Sequence, residues 1–260
     1  MELNVDLIKT IEDDDNRIVS LYYDDKKIVV PESLAIILDG NGRYAKKHNL
    51  SREIGHKMGC EALEVILEES VRLNIKYLTV YAFSTENWKR SEEEINALFN
   101  LFFIYLNKVH EKAIKNNVRI NFIGDIEKFP KKLSDSCKKL MNDTKDFNRQ
   151  VFSIAFNYGS RDEIIRAIKK MYSDKVDIDN LSESTFSKYL DTYDIKDPDL
   201  LIRTSGECRL SNFLLWQVAY SEMYFTDVLW PEFDKMELYK AIISYNNRER
   251  RFGGRLDRSK

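Results

Sequence analysis

The sequence predicts an α/β fold, a single domain with a mainly parallel central sheet flanked by helices. Short apolar runs at 34–38, 77–83, 118–123, 151–156 and 200–202 each close on polar or glycine punctuation, the pattern of strands buried on both faces. Segments of helical periodicity lie between and after them, at 56–73, 92–116, 130–146, 160–172 and 234–250. Strand then helix, repeated, produces a parallel sheet covered on both sides. The chain also has no internal repeat and no Gly/Ser-rich or Pro-rich linker, and only 4 prolines and 9 glycines punctuate its 260 residues. A second domain has nowhere to begin, and one large core is ordinary for an α/β chain of this length.

Taken in order, residues 1–30 form an extension ahead of the domain proper, 31–260. Within the extension, 18–30 suits a small hairpin turning at Asp24 and Asp25. The opening MELNVDLIKTIEDDDNR mixes acids into every apolar patch, and no later run approaches the roughly 18 apolar residues a membrane span needs. Neither a signal peptide nor an integral membrane segment is expected. Hydrophobic residues at 43% beside charged residues at 32% exclude a disordered chain. The 41 basic and 43 acidic side chains leave a formal charge of -2, which argues against a partner held by bulk electrostatics, nucleic acid included. Phosphate recognition, if present, is local. Cys60, Cys137 and Cys208 are far apart and lack CxxC spacing, so neither a disulfide framework nor a zinc site is expected, and the chain reads as reduced and cytoplasmic.

Open α/β sheets bind ligands beyond the carboxyl ends of their strands. The first core strand is followed by Asp39-Gly40-Asn41-Gly42-Arg43. Two glycines one residue apart allow backbone N–H groups to form an anion nest beside a fixed guanidinium, although the same pentapeptide suits an ordinary tight turn. It is neither a Walker loop nor a dinucleotide fingerprint, because no Gly-Lys-Ser/Thr and no third glycine follow. Asp39 would repel a phosphate unless a divalent cation stood between them, which points to magnesium bound by one or two carboxylates plus phosphate oxygens. The second strand runs into Ser84-Thr85-Glu86-Asn87-Trp88-Lys89-Arg90, a polar cluster ahead of a helix that Ser84 or Ser91 would cap. The fifth strand ends in Arg203-Thr204-Ser205-Gly206-Glu207-Cys208-Arg209-Leu210-Ser211, where two arginines suit a second diphosphate.

Three stretches, DGNGRYAKKHNLSREIGHKMG, YLTVYAFSTENWKR and DLLIRTSGECRLSNFLLWQVAYSEMYFTDVLWPEF, resemble the signature blocks of cis-prenyltransferases, especially undecaprenyl diphosphate synthases. The resemblance covers 31–254 in the right order. It implies a magnesium-dependent enzyme that adds isopentenyl diphosphate to an allylic diphosphate, typically as a homodimer, with peripheral membrane contact when product leaves. By position, Asp39 would align the allylic diphosphate and hold Mg²⁺ while Gly40, Asn41, Gly42 and Arg43 cradle that group, with Tyr44, Arg52 and His56 completing the site. Ser84, Thr85, Glu86, Asn87, Trp88 and Arg90 match the second block, where the family places substrate contacts and a proton acceptor at the position of Asn87. A carboxamide has almost no basicity near neutral pH, so Asn87 is expected to position substrate instead. Arg203, Arg209, Leu210 and Ser211 match the isopentenyl diphosphate site, and Glu222 a second acidic residue associated with magnesium.

The helix at 92–117 carries a wider apolar surface than one packing stripe needs. Deep burial or a subunit contact would explain it, and the resemblance implies a tunnel wall for a medium-length product near the undecaprenyl class. The aromatic segment 216–233 suits a homodimer face or plain core, and the basic tail 248–255 a solvated end, to which the resemblance adds a minor substrate role. Tyr44, Ser33 and Cys208 stand where the family more often has tryptophan, histidine and histidine. Two rivals remain: a short-chain or irregular-product synthase, and a non-catalytic partner subunit. Asp39, Arg43, Arg203, Arg209 and Glu222 weigh against the second.

Overall fold

A computed structural model describes residues 3–248. The chain begins with β1 (Ile8–Glu12), β2 (Ile18–Tyr23) and β3 (Lys26–Ile28), then enters β4 (Ser33–Ile37), α1 (Asn41–Lys47), α2 (Arg52–Arg72) and β5 (Tyr77–Ser84). It continues through α3 (Glu92–Asn116), β6 (Val118–Ile123), α4 (Lys131–Thr144), β7 (Gln150–Tyr158) and α5 (Ser160–Ser173). It closes with α6 (Glu183–Ser187), β8 (Leu200–Arg203), β9 (Glu222–Phe225) and α7 (Lys235–Asn246).

β4 to β9 form one six-stranded sheet in the order β6-β7-β5-β4-β8-β9, and every ladder in it is parallel. Each residue of β4 and β7 is buried, which is why their sequences read as unbroken runs instead of alternating. From β4 the chain lays β5, β6 and β7 to one side and then returns to add β8 and β9 on the other. The strand order therefore reverses at β4. The crevice between the carboxyl ends of β4 and β8 is the topological switch point, where open sheets of this kind hold ligands.

The extension is structured. β1, β2 and β3 make an antiparallel sheet, and the β2–β3 hairpin turns at Asp24 and Asp25, both at positive φ. Ile18, Leu21 and Ile28 join the main apolar cluster together with core residues of the large sheet. The Val29 amide donates to Asn246 Oδ1 at 2.9 Å, and Arg72 Nε donates to the Asn16 carbonyl at 3.2 Å. The extension thereby seats on α2 and α7.

Four elements exceed the sequence expectation: β1, α1, α6 and β9. Each is seven residues or shorter, and none carries a full period of buried apolar positions. α2 starts at Arg52, four residues ahead of the periodic segment, because Ser51 Oγ accepts the Ile54 amide at 3.3 Å and caps it. Within 216–233, Trp230 and Phe233 are core residues, while Tyr220 is 77% exposed. The last residues of the helix expected at 234–250, and nearly all of the tail at 248–255, lie outside the described residues.

Candidate active site

The switch point is built on backbone contacts between segments distant in sequence. Thr204, at the end of β8, accepts the Asp39 amide at 3.0 Å on its hydroxyl and donates that hydroxyl to the Asp39 carbonyl at 2.6 Å. The Trp230 amide donates to the same carbonyl at 3.0 Å. Gly40 then turns the chain at φ 117°, with Leu229 Cα, Ser205 Cβ and the Trp230 nitrogen each 3.1 Å from where a Cβ would stand. Only glycine fits a left-handed turn this crowded. The expected nest of two glycines is not what forms: Gly40 precedes α1, and Gly42 lies inside that helix with open space beside it. The turn at Gly40 leads straight into α1, whose first amides have no carbonyl partner within the helix.

Asp39 is gripped on both oxygens. Its Oδ2 lies 2.9 Å from Arg203 Nη2 and its Oδ1 3.1 Å from Arg43 Nη2. Burial pushes its pKa up, but the two guanidinium groups outweigh burial and hold the carboxyl below its ordinary value. Arg203 is only 3% exposed. Its Nη1 donates to Ser211 Oγ at 2.8 Å and to the Arg209 carbonyl, while its Nε is buried without a partner. Arg43 donates to the Ser205 carbonyl at 2.6 Å and lies 3.3 Å from Glu207. Two guanidinium groups thus stand at the crevice, each already paired with a carboxylate.

Beyond β5, Asn87 Oδ1 accepts the Ser84 amide at 3.0 Å, which leaves the amide nitrogen as the group Asn87 offers the crevice. Thr85 donates to Glu86, and Asn212 Nδ2 donates to the other Glu86 oxygen at 3.2 Å. Glu94, on the first turn of α3, holds Arg90 and Arg52, each at 3.1 Å. His56 is pushed down to about 4, chiefly by burial and then by Arg90. It stands as a neutral imidazole at the mouth.

A cavity of about 640 Å³ opens from this cluster and runs between α2, α3 and the sheet. Asp39, Asn41, His56, Asn87, Arg90 and Arg203 line its polar mouth, and Leu63, Leu67, Leu98, Phe102, Leu106 and Ile154 line its apolar part. The surplus apolar surface of α3 faces this space. Asn41 Oδ1, buried at the mouth without a hydrogen-bond partner, rests on Gly59, where a Cβ would stand 2.2 Å from it.

Several expected site residues lie elsewhere. Glu222 opens β9 opposite Leu200, whereas Asp39 lies past the other end of the β8 ladder beyond Arg203. Glu222 pairs with Arg248 at 2.8 Å. One chain therefore does not bring the two carboxylates together, because a parallel ladder separates its ends by its own length. Arg209 turns outward onto Glu207, with its side chain 62% exposed, and reaches the site through its carbonyl alone. Leu210 packs on the apolar cluster behind the site. Tyr44 packs against His48 with ring centroids 4.3 Å apart and does not wall the cavity. Trp88 donates to Asn157 at 2.8 Å and packs among Phe83, Phe99 and Phe129, so it fastens the loop. Thr204, Glu94 and Asn212 were missed. Only the polar run around Thr204 and the four-residue spacing of Arg90 and Glu94 signalled any of them, and the remaining partners, Asp39 for Thr204, Arg52 for Glu94 and Glu86 for Asn212, are more than 35 positions away.

The donor set for a cation is small. Among the described residues no cluster of three or more His, Cys, Asp or Glu side chains is placed to hold a metal. Asp39 is the carboxylate held between Arg43 and Arg203 at the mouth, and a single carboxylate fits magnesium only when ligand phosphate oxygens complete the shell.

Fold and site together define an α/β enzyme with a charged switch-point mouth above a long apolar cavity. The family model described as putative undecaprenyl diphosphate synthase matches residues 37–253. An isoprenyl transferase of Clostridium tetani is 52% identical over 229 residues, 86% of this chain and 90% of the relative. The tritrans,polycis-undecaprenyl-diphosphate synthase (geranylgeranyl-diphosphate specific) of Picrophilus torridus is 49% identical over 236 residues, 88% of this chain and 92% of the relative. Among solved structures, lavandulyl diphosphate synthase from Lavandula x intermedia in complex with dimethylallyl diphosphate superposes with a TM-score of 0.83 at 34% identity, over 86% of this chain and 98% of that one. A probable undecaprenyl diphosphate synthase from Campylobacter jejuni superposes with a TM-score of 0.74 at 36% identity, over 87% and 100%. The chain belongs to the cis-prenyltransferase family, that of undecaprenyl diphosphate synthase, and is a prenyltransferase.

Proposed function

We propose that this enzyme condenses isopentenyl diphosphate repeatedly onto an allylic diphosphate, farnesyl diphosphate in the first instance, and releases a medium to long Z-polyprenyl diphosphate of the undecaprenyl class. The observation that carries this reading is the continuity of the 640 Å³ cavity, which joins the Asp39–Arg203 mouth to an apolar interior within one chain. A diphosphate head at the mouth places its hydrocarbon tail against Leu63, Leu98 and Phe102, where burial favours it by about 25 cal/mol per Å² of apolar surface.

Arg43, Arg203 and the first amides of α1 bind diphosphate oxygens and orient the allylic carbon. Asp39 would hold Mg²⁺ together with those oxygens, and the ion would neutralise charge on the departing diphosphate. The allylic C–O bond breaks with its electron pair leaving on diphosphate, the isopentenyl double bond attacks the exposed carbon, and the isopentenyl unit gives a proton to the departing diphosphate, the C–H electron pair forming the Z double bond. Asn87, with its oxygen tied to the Ser84 amide, positions the second substrate through its NH₂ group. His56 is neutral at physiological pH and acts as a hydrogen-bonding group at the mouth.

The working form is read as a homodimer in which the edge strand β9 and the exposed Tyr220 contribute to the contact, and light scattering of purified protein measures it. No helix among the described residues is long and apolar enough to cross a membrane. The deciding experiment incubates protein with Mg²⁺, farnesyl diphosphate and labelled isopentenyl diphosphate and resolves the products by length. A ladder ending at a discrete polyprenyl length, abolished by EDTA and by Asp39→Ala, is expected. A single condensation would favour a short-chain or irregular-product synthase. No incorporation with any allylic primer would refute the reading.

A further inference from the structure

The residue of α3 that lines the cavity farthest from the mouth is a lysine. Glu64 of α2 and Lys112 of α3 both line it, and Lys112 Nζ stands 2.7 Å from Glu64 Oε2 and 2.9 Å from Glu68 Oε1. Lys108 Nζ lies 3.7 Å from Glu64 Oε1, an oxygen that is buried and has no hydrogen-bond partner. The two helices run side by side into this cluster. Nearer the mouth, Tyr105 donates its hydroxyl to the Lys57 carbonyl at 3.5 Å, and nearer still Arg52 meets Glu94. Lys112 is about 27 Å along the axis of α3 from Glu94 at the usual helical rise. Between these two charged layers the lining contributed by the helices is mainly apolar, with Leu63, Leu98, Leu106 and Val109 leading down to the pair.

Holding two diphosphates does not require an ammonium–carboxylate pair at the far end of an apolar cavity. The pair does, however, set a limit on what can lie there. An apolar chain advancing past Val109 would exclude water from Glu64 and Lys112 and wedge between them, and ionic groups that lose water or partner are strongly disfavoured in such a place. We propose that the Glu64–Lys112 pair is the floor that stops chain growth, so that product length is set electrostatically as well as by side-chain bulk. This rests on the polyprenyl synthase reading above. The tail of the product advances along the leucine wall with each condensation until the next five-carbon unit would have to enter the pair. Elongation then loses to release.

The test compares product-length distributions with farnesyl diphosphate, labelled isopentenyl diphosphate and Mg²⁺. Glu64→Leu combined with Lys112→Leu makes the floor apolar, and its longest abundant product is expected to exceed that of the wild type by at least one isoprene unit. Lys112→Met, a smaller perturbation that leaves Glu64 with Lys108, is expected to broaden the distribution toward longer products. Lys112→Arg keeps the pair and is expected to keep the wild-type maximum. An unchanged maximum in both apolar variants would overturn the proposal. Loss of all incorporation in both would overturn it too, since the pair would then serve to clamp α2 to α3. Failure of the wild type to elongate any allylic primer would instead refute the functional reading on which the floor depends, and is distinguished by the wild-type lane alone.

Discussion

Replacing Thr204 by valine removes one hydroxyl and keeps the shape of a fully buried side chain. The hydroxyl serves both backbone groups of Asp39, accepting from its amide at 3.0 Å and donating to its carbonyl at 2.6 Å. Orphaning a buried polar group costs about 1–3 kcal/mol. Neither group is orphaned completely, because the Asp39 amide still reaches the Ile37 carbonyl at 3.0 Å and the Asp39 carbonyl still accepts from Trp230 at 3.0 Å. The expected loss of stability is therefore at the low end, about 1–2 kcal/mol for the two weakened groups together. That corresponds to a fall in melting temperature of roughly 2–8 °C, taking about 2–4 °C per kcal/mol for a chain of this size. The effect on turnover is expected to be larger, on the order of 10- to 100-fold, because the Asp39 carboxylate hangs from this frame and catalysis depends on its placement. Calorimetry and isopentenyl incorporation, measured on the same preparation, check the two numbers. A melting temperature that falls as expected while turnover stays at the wild-type value would refute the idea that Thr204 positions Asp39.

His56 has a folded pKa depressed to about 4, so the unfolded chain binds its proton first as pH falls below the ordinary histidine value near 6.5. Its contribution to stability is complete above that value and is lost between it and about pH 4, amounting to about 3 kcal/mol at the limit. His56→Gln is expected to lose less melting temperature than the wild type across that window; identical pH profiles would remove His56 from the account. Gly59→Ala puts a methyl group about where Asn41 Oδ1 stands, 2.2 Å away. It is expected to cost about 1–3 kcal/mol from overpacking and to raise KM for the allylic substrate by displacing Asn41 from the mouth, and steady-state kinetics reads that shift.

The layered fold was legible because β4, β7 and β8 are buried on every residue, and such strands announce themselves as continuous apolar runs. β9 was missed for the converse reason: as a four-residue edge strand it is half-buried throughout and carries no clean period. The charged residues of the mouth were visible because Asp, Arg and Asn directly after a buried strand have few structural reasons to be there. Direction was not visible. Arg203 and Arg209 look equivalent in sequence, yet one is buried against Asp39 and the other salt-bridges to Glu207 at the surface. Glu222 looked like a partner for Asp39 until the register of β8 and β9 set them at opposite ends of a ladder. Trp88 and Tyr44 were expected among the substrate contacts, and their side chains instead meet Asn157 and His48.

Arg43 and Arg203 carry their own counter-ions, Glu207 and Asp39. The mouth is thus not a standing positive trap, and whatever anion enters must take over the arginines' hydrogen bonds from carboxylates already seated there. A ligand with few oxygens competes poorly in such an exchange, while one that presents two linked phosphoryl groups can engage both arginines at once. The same arrangement works in reverse at release, because each departing oxygen is replaced by a tethered one and the outgoing anion leaves behind no bare cation to recapture it. Selectivity against small anions and ready discharge of a long product would then share one cause, a site that is electrically closed on itself.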